Sequence, residues 1–89
     1  MKTVDRNGDI VTNVAQGRME GEVRITVSNL WHYQPYQVRL QTAQNFWSAW
    51  ANTHSPNDPD KARIRIVDLN GNEVGGSRVW AGSLIWVDD

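Results

Sequence analysis

Apolar side chains return along this chain with two different periods. In "MEGEVRITVSN" (19–29), Val23, Ile25 and Val27 alternate with Glu22, Arg24 and Thr26. "KARIRIVD" (61–68) repeats the pattern, with Ile64 and Ile66 against Arg63 and Arg65. A period of two is that of a strand with one buried face, so both segments predict strands. Between them the period lengthens. Tyr36, Leu40, Ala43, Trp47 and Trp50 recur at steps of four and three, and Phe46 widens the stripe. That spacing predicts an amphipathic helix over about 35–53. Pro35 suits its first position, where a missing N–H costs nothing. "NTHSPNDPD" (52–60) stops it with two prolines among turn formers. "YQVRLQ" (36–41) also alternates, and would be a strand if Thr42 capped a shorter helix; the longer stripe favours the helix.

Two stretches echo each other. "VDRNGDIV" (4–11) and "VDLNGNEV" (67–74) share Val, Asp, Asn, Gly and Val in register. Asn-Gly between extended residues predicts a tight hairpin of type I′, in which both turn residues take positive φ. A calcium loop beginning at Asp5 would need Gly at its sixth position and Glu at its twelfth, where Ile10 and Gln16 stand. The hairpin reading prevails, and two copies do not make a solenoid. The C-terminal "SRVWAGSLIWV" (77–87) predicts one or two strands broken near Ala81-Gly82.

Together these elements predict an α+β fold in one domain. A small, mostly antiparallel sheet of four to five strands, from roughly 2–14, 19–29, 61–69 and 74–87, packs against one amphipathic helix. An 89-residue chain has no room for a second core. It buries roughly 60–65% of its unfolded surface, which leaves stability modest unless something supplements the core. The absence of cysteine excludes disulfides, thiol catalysis and zinc sites built on Cys, and is compatible with a cytoplasmic location. A net charge of −1 provides no global field for nucleic acid or anionic membrane. No apolar run approaches the ~20 residues of a membrane span, and "MKTVDRNGDI" lacks a signal-peptide core.

Enzymatic constellations are missing from the pattern. "GGS" (75–77) lacks the flanks of a nucleophile elbow, and the seven glycines never assemble a phosphate-cradling loop. Asp58, Asp60 and Asp68 read as turn formers. His54, Ser55 and Asp58 are loop neighbours without an orienting scaffold. Neither His32 nor His54 has partners at metal-ligand spacing. The expectation is therefore a non-enzymatic protein without metal or cofactor.

Five tryptophans carry much of the 39% hydrophobic content, and they suggest three binding readings. In the last strand, Trp80, Leu84 and Trp86 share one parity while Val79, Ala81, Ile85 and Val87 share the other. One helix covers only one of these faces. The leading expectation is thus a binding or adaptor protein that self-associates as a homodimer through Trp80, Leu84 and Trp86, or else takes another protein there. The competing cover is the N-terminal hairpin folded over as a second layer. A second reading places a small aromatic or apolar ligand in a pocket near Trp31, Tyr33 and Tyr36 of "WHYQPY". The plainer account of those rings is a staple that fixes how the chain enters the helix. A third reading sets Arg24, Arg63 and Arg65 beside an exposed tryptophan, the material of a platform for single-stranded nucleic acid. Near-neutral overall charge favours instead a solvated arginine face. Compact motif-free chains of this kind are common among phage and mobile-element accessory products, a parallel of size alone.

Overall fold

The computed structural model describes residues 10–17, 21–54, 57, 61–78 and 81–88. The alternating segments become strands of one open sheet, in chain order β1 (Val11–Gln16), β2 (Glu22–Val27), β3 (Arg63–Val67), β4 (Glu73–Arg78) and β5 (Ala81–Val87). Their spatial order is the same, β1-β2-β3-β4-β5. All neighbours are antiparallel except β2 and β3, which run parallel because the helix α1 (Tyr36–His54) crosses between them. A parallel pair needs a long crossover, and a helix is its usual form.

The long helix forms, and residues 36–41 belong to it. The Pro35 carbonyl accepts the first helical bond from the Arg39 N–H at 3.0 Å, so Pro35 sits one position earlier than expected. The buried stripe is also turned from the predicted one. Arg39, Ala43, Phe46 and Ala51 are buried, Leu40, Trp47 and Trp50 are half-buried, and Tyr36 is exposed. The cause is Arg39. Its Nη1 donates to the Asp88 carboxylate at 2.8 Å and the Asp88 carbonyl at 2.7 Å, and its Nε donates to the Gln34 carbonyl at 3.1 Å. A guanidinium so satisfied can lie inside, and here it clamps the end of β5 to the first turn of α1.

The core lies between the helix and one sheet face. Val23, Ile25 and Val27 of β2, Ile64 and Ile66 of β3, Val74 of β4 and Val87 of β5 meet Ala43 and Phe46 of α1. Trp31, in a 3-10 turn over Asn29–Tyr33, completes it, stacked on Phe46 with ring centroids 6.4 Å apart. At the far end of α1, Trp47 Nε1 donates to the Ala62 carbonyl at 2.9 Å and Trp50 Nε1 to the Gly21 carbonyl at 2.7 Å. Those carbonyls lie just before β3 and β2, so two amphipathic rings pin the helix to the starts of the parallel strands.

"VDLNGNEV" makes the β3–β4 hairpin, but not through a type I′ turn. Only Gly71 takes positive φ (+86), and its N–H donates to the Asp68 carbonyl at 3.0 Å. This is a three-residue loop closed by a glycine in the left-handed region. The Asp68 carboxylate accepts from the N–H groups of Asn72 and Asn70, both at 2.9 Å. These bonds hold its pKa below the usual value, the Asn72 N–H contributing most. The matching Asn7-Gly8 turn lies outside the described residues. Of the segment 2–14, the described part is β1, which pairs edgewise with β2 and extends the single sheet. "SRVWAGSLIWV" divides into β4 and β5 as two strands. Their register jumps from Ser77–Ile85 to Arg78–Ala81, which leaves the extra residues beside Gly82.

Candidate functional site

The face of the sheet turned away from α1 is polar, and its register can be followed strand by strand. Arg24 pairs with Arg65, Arg65 with Gly76, and Gly76 with Trp86. Glu22 pairs with Arg63. Arg63 reaches the next strand, donating from Nη1 to the Arg78 carbonyl at 2.9 Å. The inward alternation of Val23, Ile25, Ile64 and Ile66 therefore sends the arginines to the opposite side, where β4 and β5 supply a glycine and a tryptophan.

At the β3–β4–β5 end this face encloses a cavity of about 420 Å³, walled by Glu22, Arg63, Arg65, Glu73, Arg78 and Trp86 over the backbone of Gly75, Gly76 and Ser77. Gly76 has φ +145, a conformation side chains rarely adopt, and an added Cβ would lie 2.7 Å from the Ile64 carbonyl oxygen. No side chain therefore fills the row between Arg65 and Trp86.

The charges are arranged unevenly. Arg65 bridges two carboxylates, with Nε 3.4 Å from Glu22 Oε1 and Nη1 bonded to Glu73 Oε1. The first contact is an ion pair without hydrogen-bond alignment, since Arg65 Nε has no hydrogen-bond partner. Arg63 and Arg78 form no ion pair with a carboxylate among the described residues. The Arg78 guanidinium carbon lies 5.9 Å from the centroid of the Trp86 ring, within cation–π range. Three arginines and two glutamates give the wall one net positive charge in a chain of net charge −1. A second cavity, about 230 Å³, lies across the Glu22–Arg65–Glu73 bridge and has Arg24 in its wall.

The three groups of residues singled out in the sequence fare differently. Arg63 and Arg65 are brought to Trp86 in one cavity, and Arg24 lies one strand away in the next. Trp86 is half-buried and Leu84 is exposed, while Trp80 falls outside the described residues. Trp31 is 1% exposed, so it offers no wall to a pocket; Tyr33 is 79% exposed on the same turn. Tyr36 is exposed, with the Arg39 guanidinium carbon 5.9 Å from its ring centroid. Arg78, Glu22 and Glu73 are the members of the site that the alternation did not single out. The Asn70-Gly71 turn carried the missing signal: once it is placed, pairing Arg65 with Gly76 puts Arg78 level with Arg63.

No described helix is long and apolar enough to cross a membrane. No protein-family model, curated protein or solved structure matches the chain.

Proposed function

We propose that the chain is a non-enzymatic binding protein whose working surface is the open sheet face at β3, β4 and β5, and that its partner brings negative charge. The observation that carries this reading is the convergence of Arg63, Arg65 and Arg78 on Trp86 around one cavity. Guanidinium forks and ring faces recognise and hold; they contribute no nucleophile. The protein's net charge of −1 makes the local excess of arginine informative, because it is not a sample of a basic surface. The test is retention on an immobilised sulfated polysaccharide, a polyanion without rings. The intact protein is expected to bind at low salt and to elute as salt rises. The double variant Arg63→Gln, Arg78→Gln is expected to flow through with its melting temperature nearly unchanged. Wild-type protein that flows through at low salt overturns the reading.

A second reading, self-association through the C-terminal strand, is supported by the position of β5 at the sheet edge and by Leu84, which is 46% exposed. A two-fold dimer would present this patch twice. Light scattering at micromolar concentration is expected to give twice the chain mass, and Trp86→Glu to halve it, since a carboxylate would be left unpaired in the interface. A monomeric wild-type protein overturns this second reading.

A further inference from the structure

Within that proposed surface, and resting on the reading of it as a binding face, we infer that the cavity is a nucleotide site: a flat ring lies on Trp86 and a phosphate sits between Arg63 and Arg78. The assignment starts from which arginines are available. Arg65 is held by Glu22 and Glu73, so its role is to position the floor of the site and not to meet the ligand's charge. Arg63 and Arg78 stand side by side across β3 and β4, joined only by a bond from one guanidinium to the other residue's carbonyl. Two neighbouring cations without a described carboxylate repel each other, and an anion between them relieves that repulsion. A phosphate fits because its oxygens match the guanidinium fork bidentately.

The ring follows from the other wall. Trp86 is half-buried at the cavity's edge, with Arg78 on its ring and Gly76, which carries no side chain, paired beside it. A planar group entering the cavity would meet the indole in its wall. Stacking of this kind suits any base, since every base has a π-face. The cavity of about 420 Å³ is in the range of small-ligand sites, roughly 300–1,000 Å³, and admits one nucleotide-sized group rather than a folded partner. The same chemistry comes from two sources, a free nucleotide or one unit of a single strand.

Fluorescence anisotropy of the full chain with a labelled oligothymidylate of about twelve nucleotides reads the site. Binding is expected at low salt, with affinity falling by roughly 0.7 log units per log of salt for each phosphate contacted. Trp86→Leu keeps an apolar side chain and is expected to weaken the oligomer by roughly tenfold. It should leave retention on the ring-free polysaccharide unchanged. Arg78→Gln, an exposed position that does not threaten folding, should weaken both. The same sequence as a duplex, with its bases stacked away, should bind more weakly than the single strand. Competition by free thymidine monophosphate at the same site assigns the free nucleotide as the source, and its failure to compete assigns the strand. If Trp86→Leu binds the oligomer as tightly as the wild type while the polysaccharide is still retained, the nucleotide assignment is wrong and the anion-binding face stands. If neither polyanion binds at low salt, both are wrong.

Discussion

The two faces of the sheet are made from the same strands and obey opposite rules. On the helix side, Ile25, Ile66 and Phe46 are fully buried and Trp31 is closed over by packing. On the other, Arg65 keeps its neighbours in place through ion pairs, and Trp86 stays half in water. Trp31, Trp47 and Trp50 lie on the helix side, whereas Trp86 lines a cavity on the other. The Trp31 ring buried against Phe46 contributes apolar area to folding, whereas the Trp86 ring at a cavity edge carries the Arg78 guanidinium. The difference teaches that tryptophan content says little about function until the neighbours of each ring are known. Along β2 and β3, Arg24, Arg63 and Arg65 mark the open face, and Val23, Ile25, Ile64 and Ile66 mark the closed one.

Substitutions that treat the two faces alike would break this contrast. The largest effect is expected at Trp31→Ala, a loss of about 3–5 kcal/mol in chemical denaturation, as for truncating a buried aromatic. An unchanged unfolding midpoint would mean that Trp31 is not a core residue. Arg39→Ala comes next, at about 1.5–3 kcal/mol, because the charge-assisted bonds to Asp88 and the bond to Gln34 are lost together while Asp88 can still reach water. The smallest is Trp86→Ala. It gives up a cation–π contact with Arg78 and part of a half-buried ring, about 1 kcal/mol. If Trp86→Ala unfolds the protein as readily as Trp31→Ala, the open face is part of the core and cannot be the binding surface.

How much of this was legible in advance differs by element. The alternation of Val23, Ile25 and Val27, and of Ile64 and Ile66, identified β2 and β3 and also told which side the arginines would take. Asn70-Gly71 located the β3–β4 hairpin but not its geometry, since the bonds of the Asp68 carboxylate to Asn70 and Asn72 favour a longer loop in which glycine alone takes positive φ. The helix was legible from its stripe, and its rotation was not. Arg39 is buried only because Asp88, far away in sequence, completes its bonds, and pattern along a chain does not reveal a partner so distant. The same limit hid Glu22, which joins the site through Arg65 from another strand; Glu73 lies just across the Asn70-Gly71 hairpin from Arg65. The crowding of rings in "WHYQPY" reads more plainly as a helix entrance than as a platform, but local pattern treats its rings alike. Tertiary packing separates Trp31 from Tyr33 where local pattern could not.

The single parallel ladder has a dynamic consequence. β3, β4 and β5 follow one another through short connections, and α1 rests mainly on β5 and β3, so this part of the molecule closes over small loops. β2 joins it only across the whole helix, a longer closure that costs more chain entropy. The β2–β3 ladder is thus the expected seam, with the β1–β2 hairpin on one side and the helix with three strands on the other, although β2 shares the core of α1. Native-state hydrogen exchange would then show the amides of β1 and β2 opening at lower free energy than those of β3 and β4. Glu22 of β2 stands in the wall of both cavities, so opening at that ladder would take one carboxylate from each and Arg24 from the smaller.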